Sequence, residues 1–152
     1  MPSRLLQTTQ AYIRAFDNLS TETFAALLSD AAIHQYAPAS AQAPEPKSRA
    51  QFISHITSLK EVLAGIPLAA KQIVESEGSN QVVIWATSQA IFRDEVKDSA
   101  LPINAWDYRG EYIFFLTMNK TQDKITNVVE FLDSKGTDGI KSLIARARGN
   151  RK

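Results

Sequence analysis

Cysteine is absent from the sequence and histidine occurs only twice, at His34 and His55. The first absence excludes disulfides, thiolate metal sites and a thiol nucleophile. With no HxxxH or HxH spacing, the second leaves only a two-histidine metal site completed by Asp or Glu, which no spacing suggests. Charge of one sign is also lacking. Lys and Arg number 17 against 16 Asp and Glu, a formal net charge of +1, so no overall field points to nucleic acid or an acidic membrane surface. No apolar run approaches a membrane span, and the opening MPSRLLQTTQAYIRAF has no uninterrupted apolar core. The expectation is a cytoplasmic protein that engages neither membrane nor nucleic acid. The triplets NLS at Asn18 and NKT at Asn119 carry little meaning without a secretion signal.

What is present is 152 residues at 44% hydrophobic content, enough for one domain with a real core. Leu5, Thr9, Tyr12, Ile13, Phe16 and Leu19 recur at helical spacing and predict a first helix over residues 4–18. Ser20 can cap a short second helix, Thr21 to Leu28. AAIHQY then alternates as a strand, with His34 and Tyr36 on one face, before the loop APASAQAPEP. Ser48 to Gln51 has the form of a capping box, opening a third helix that continues to about Ala64. From Pro67 the pattern turns to four strands in a meander, with a long irregular stretch, DEVKDSALPINAWD, between the second and third. A last amphipathic helix, DGIKSLIARARGNRK, closes the sequence; its basic end is read as a solvated helix terminus. The fold class is α+β: three helices over one strongly curved antiparallel sheet, a cone whose interior side chains do not completely fill.

In the closing strand, KITNVVEFLDS, one acid stands among β-branched and aromatic residues: Glu130, between Val129 and Phe131. It either points to water in a salt bridge or is held in an apolar chamber, where a carboxylate becomes suited to proton transfer. If KTQD closes the hairpin with Asn119 across from Lys124, Glu130 lies opposite Ile113. Its face then carries Glu111, Ile113, Phe115 and Thr117, with Trp85, Thr87 and Gln89 from the next strand. The other face carries Ile84, Ala86, Tyr112, Phe114, Leu116, Val129 and Phe131. Both faces are apolar, so both are buried, one against the helices and the other against a second subunit in a homodimer. Burial of the outer face by the last helix alone is the alternative.

The layout, LLSDAAIHQYAPAS after the second helix, and the ending YIFFLTMNKTQDKITNVVEFLDS resemble the SnoaL-like branch of the nuclear-transport-factor-2-like superfamily, with its cystatin-like α+β barrel. Small fungal members from secondary-metabolite pathways, among them meroterpenoid isomerases, are the nearest in pattern. The superfamily also holds ketosteroid isomerases, dehydratases, polyketide cyclases and epoxide hydrolases, alongside members with no catalysis. In the polyketide cyclases the closing strand reads like KIVEHWD and its final acid is catalytic; laid on KITNVVE, that acid is Glu130. The cyclase histidine before it is replaced by Val128, and the ketosteroid isomerase base position falls near Gln35. The tyrosines and histidines of scytalone dehydratase are not reproduced in full.

The resemblance implies a cofactor-free isomerase or cyclase that moves protons on a small hydrophobic, polycyclic, carbonyl-containing substrate. Glu130 and His34 would handle the proton, with Tyr36 or Tyr12 steadying an enolate or alkoxide. Tyr12 and Phe16 would wall the pocket, Arg49 would hold an oxyanion at its mouth, and Trp85 and Phe115 would supply flat surfaces, with Thr87 and Glu111 near the rim. His55 faces the interior from the third helix, as pocket residue or satisfied core histidine. Each of these residues also has a purely structural use. A lid is expected from APASAQAPEP and the stretch ending in Trp106, Asp107 and Tyr108. The alternatives are a non-catalytic binding protein for a hydrophobic metabolite, and a dehydratase or hydrolase in which an ordered water sits between Glu130 and His34.

Overall fold

Ser3 opens α1 (Arg4–Ala15) by accepting a hydrogen bond from the Leu6 amide, and Ser20 opens α2 (Thr21–Leu27) by accepting from the Thr23 amide. The computed structural model describes residues 1–41 and 44–151. After α2 come β1 (Leu28–Ala37), the two-residue β2 (Lys47–Ser48), and α3 (Arg49–Leu59), whose capping box between Ser48 and Gln51 is formed in both directions. β3 (Leu63–Gly65), β4 (Leu68–Ser76), β5 (Gln81–Gln89), β6 (Ile91–Phe92), β7 (Arg109–Met118), β8 (Ile125–Leu132) and α4 (Ser134–Gly149) complete the order. No helix among the described residues is long and apolar enough to cross a membrane.

The α+β architecture stands as read, with a sheet that is mixed and open. Its order is β2-β1-β8-β7-β5-β4, antiparallel except where β1 runs parallel to β8, and it does not close into a barrel. The parallel pair sets Tyr36 beside Glu130 and His34 beside Val128. The third helix stops earlier than its periodicity suggests, at Leu59, because Leu63 to Gly65 pair with β6 in a separate two-stranded sheet. Gly65 is there because a Cβ would come within 1.9 Å of the Asp17 carbonyl oxygen, so only a glycine lets this ribbon lie against the end of α1. The fourth helix starts at Ser134, ahead of the predicted Asp138.

Register departs from expectation by one residue, and the consequence is large. Asn119 does pair with Lys124, its amide donating to the Lys124 carbonyl. Beyond that, Thr126 is an extra residue on β8: Met118 faces Ile125 but Thr117 faces Asn127. Past this bulge Glu130 lies across from Phe114, not Ile113. Because side chains alternate, the slip exchanges the faces of β7 and β5. Tyr112, Phe114 and Leu116, with Ile84 and Ala86, face the helices. Trp85, Thr87, Glu111 and Phe115 face outward, opposite to their predicted side.

The core is centred on α1, α2 and the inner face, where Tyr12, Phe16, Phe24, Phe52 and Phe114 interlock edge to face with centroids 4.9–6.2 Å apart. α4 does not cover the outer face. It lies beside α3 and the segment after β6, where Arg146 makes a two-pronged ion pair with Asp98 at 2.7 and 3.0 Å and Arg148 donates to Ser58. The Arg146 and Asn150 hydrogen bonds hold the Asp98 carboxyl well below the usual carboxylate range. That segment is therefore pinned, with Trp106 buried against Phe92. Of the other expected lid, APASAQAPEP, Gln42 and Ala43 lie outside the described residues.

Candidate active site

Glu130 has an inward side chain because the inner face of β8 carries Val128 and Glu130 in alternation, after the bulge has brought them into phase with β7. It stands in a row across the sheet, Ile84, Phe114, Glu130, Tyr36, and its carboxylate is only 14% exposed. His34 Nε2 is 2.9 Å from Glu130 Oε1, so the imidazole donates this hydrogen bond to the carboxylate. The ring stacks on Phe52 at 4.6 Å and 13°, tilts against Tyr36 at 4.8 Å, and its Nδ1 is buried without a partner among the described residues. Held this way, His34 sits behind the carboxylate and fixes its orientation.

Glu130 borders a cavity of about 80 Å³. Phe16, Phe52, Phe114 and Ile56 supply apolar wall, and Ile66 and Leu68 close it from the start of β4. Besides the carboxylate, the polar groups on that wall are Tyr36, Tyr112 and His55. Burial, and after it the nearby Glu130 charge, push the Tyr36 hydroxyl far above the usual phenol range. Burial does the same to Tyr112, whose hydroxyl lies 3.0 Å from Ser88 Oγ. Tyr12 is fully buried and similarly raised, by burial and then by Glu130, and its hydroxyl has no partner among the described residues. All three phenols thus remain protonated donors at neutral pH. Burial, with Lys47 next in effect, pushes the His55 imidazole down to about 4, so it is neutral there. The chamber thus brings together the Glu130 carboxyl, a neutral imidazole and phenolic donors. That combination suits a general base facing a carbonyl whose oxygen must be steadied as charge develops.

Of the residues singled out in the sequence, Glu130, His34, Tyr36, Tyr12, Phe16 and His55 come together here. The others do not. Arg49 donates from Nη2 to the Ala25 carbonyl at 2.7 Å and from Nε to the Leu28 carbonyl at 3.3 Å, satisfying the open C-terminal end of α2 instead of holding an oxyanion. Trp85 and Glu111 bond to each other on the outer face, Nε1 donating to Oε2 at 2.7 Å, and Thr87 and Phe115 share that face. Tyr112 and Lys47 belong to the site's surroundings and were not foreseen; Lys47 lies 4.8 Å over the Tyr36 ring, and burial lowers its pKa. No local signal marks Tyr112: both faces of these strands are apolar, so the residues themselves do not reveal the extra Thr126 that turns it inward. Nothing in the sequence flagged Lys47. Among the described residues no group of three or more His, Asp or Glu is placed to hold a metal ion.

This arrangement can be set beside solved structures. The BvnE pinacolase from Penicillium brevicompactum superposes with a TM-score of 0.78 at 18% identity, over 95% of this chain and 96% of that one. The chain has the nuclear-transport-factor-2-like fold. AusH from Aspergillus nidulans superposes at 0.72, with 19% identity over 88% of each chain. PrhC from Penicillium brasilianum gives 0.79 at 12% identity, over 97% of this chain and 92% of that one. No protein-family model matches the sequence, and no curated protein does. At these identities the likeness is one of fold, and the chemistry has to be argued from the chamber itself.

Proposed function

We propose that the chain is an isomerase or cyclase of fungal secondary metabolism, of the kind that acts on meroterpenoid or polyketide intermediates, and that it works by proton transfer between its own side chains and a hydrophobic carbonyl compound. One observation carries this: a single carboxylate, paired to His34 at 2.9 Å, faces an apolar chamber whose other polar groups are neutral donors. Glu130 takes the proton from the carbon next to the carbonyl. Tyr36 and Tyr112 donate hydrogen bonds to the oxygen that becomes an enolate, and Glu130 returns the proton elsewhere on the skeleton. The Aspergillus and Penicillium sources of three of the structural neighbours, and the pinacolase named for BvnE, support the same class. The direct Glu130–His34 contact leaves no place between them for a hydrolytic water, which weighs against the dehydratase or hydrolase reading.

The test is deuterium incorporation. Incubated in D₂O with a panel of hydrophobic β-keto esters and cyclic ketones, the protein is expected to exchange the proton next to the carbonyl of at least one member well above the buffer rate. Tight binding with no exchange across the panel would instead identify a carrier.

The outer face of the sheet belongs to the same reading. Trp85, Phe115, Phe131 and Val74 are 38–50% exposed on it, an apolar surface that one subunit alone leaves in water. It is proposed as the interface of a homodimer. Light scattering at micromolar concentration should give twice the chain mass, and Phe115→Asp should give the single mass with the fold retained; a native monomer at that concentration overturns the assignment.

A further inference from the structure

The chamber around Glu130 is small for a polycyclic molecule, and a larger hollow lies beside it. Gln51, Ser54 and Ser58 form one stripe of α3, at i, i+3 and i+7; Lys141, Ile144 and Arg148 form a stripe of the same spacing on α4. The two stripes border a groove of about 510 Å³. Helices that pack to form core meet through apolar stripes; these rows are largely polar and leave room between them. His55 and Leu59 line both the groove and the inner cavity and form the partition between the two.

The groove's charge is of one sign. Lys141 and Arg148 line it and, among the described residues, no Asp or Glu does. Arg146 and Arg151 on the same stretch are occupied by Asp98 and Glu61, whereas among the described residues Arg148 pairs with no carboxylate and donates only to Ser58 Oγ, at 2.7 Å. Lys141 likewise has no carboxylate partner among the described residues. Two cations without a counter-charge, serine and glutamine side chains beside them and an apolar floor of Leu59, Ile144 and Ala145 match an amphiphilic anion.

The geometry points to the groove between α3 and α4 as the seat of a carboxylate on the substrate, held by Lys141 and Arg148, while the carbon to be deprotonated reaches past His55 to Glu130. The preferred substrate is then a hydrophobic carbonyl compound that also carries a carboxylate. The placement has a physical logic, since an anionic substrate approaching a carboxylate base must have its own charge neutralised away from that base. The inference rests on the inner cavity being the reaction site, but the groove can be tested without turnover.

The probes are 2-naphthoate and 2-naphthamide, alike in shape and different in charge, titrated into ¹⁵N-labelled protein and followed by NMR. Naphthoate should bind about tenfold more tightly, the effect of one charge-assisted contact in a half-exposed site, and should shift amides of α3 and α4. The double variant Lys141→Gln, Arg148→Gln should abolish that preference and leave naphthamide binding unchanged, and Ser54→Asp should reverse it. Equal affinities, no naphthoate binding at millimolar concentration, a preference that survives the double variant, or shifts confined to the outer sheet face would each overturn the proposal. Glu130→Gln should retain the preference. Failure of the proton-transfer reading therefore appears as turnover indifferent to Glu130→Gln with naphthoate recognition intact, and failure of the groove as the converse.

Discussion

Glu130→Gln is expected to lower the rate of proton exchange or turnover about a thousandfold while leaving ligand binding within about tenfold. The amide has the shape of the carboxylate, and its oxygen can still accept the hydrogen bond that His34 Nε2 donates at 2.9 Å in the native site. What it loses is the capacity to take a proton. The packing of Phe114 and Tyr36 on either side should hold the side chain in place, so the variant is expected to melt at or near the native temperature. The measurement is kcat and KM, with binding of an unreactive ligand by calorimetry. A kcat within tenfold of native would remove Glu130 from the chemistry. His34→Gln offers the complementary case: a group that orients the base without touching the cavity should lower kcat by less than loss of the base does.

Phe114→Ala should cost about 3–5 kcal/mol of stability, the range for deleting a buried aromatic ring from a packed core, and about 6–20 °C in melting temperature at this chain length. Phe114 is 1% exposed, lies 6.2 Å from Tyr12, 6.1 Å from Phe16 and 5.6 Å from Tyr112, and separates Ile84 from Glu130 in the central row of the sheet. Its removal merges the ring's volume with the cavity of about 80 Å³ already bordering it. Added indole should then recover part of the loss by occupying the enlarged space, as apolar ligands do in apolar cavities. Equilibrium unfolding in urea checks both. A loss below about 1 kcal/mol would mean that this ring is not inside, which is the outcome a register one residue different would produce.

How much of the chamber could be read without coordinates turns on that register. Glu130 stands out as a lone acid amid Val and Phe in the closing strand, and the resemblance of KITNVVE to the polyketide-cyclase strand singles it out as the catalytic acid; His34 and Tyr36 share a face because their own strand alternates. None of these inferences needs the correct pairing of neighbouring strands. The walls contributed by β5 and β7 require counting across two hairpins, and the extra Thr126 shifts that count by one. Arg49 fails for a different reason: the first turn of α3 is adjacent to the end of α2 only in three dimensions, and the Ala25 and Leu28 carbonyls claim its guanidinium.

Periodicity, capping residues and the distribution of turns were enough to determine the four helices, the long strands, their succession along the sequence and the two apolar faces of the sheet, because each depends on contacts a few residues apart, whereas the short β2, β3 and β6 and the parallel β1–β8 pair were not legible. Which β7 side chains meet Glu130, how little room they leave, and that α4 lies beside α3 to form a cationic groove were decided only by tertiary structure. These are consequences of a bulge and of helix docking, where one added residue or one long-range ion pair redirects whole faces at an energetic cost too small to leave a mark in local sequence.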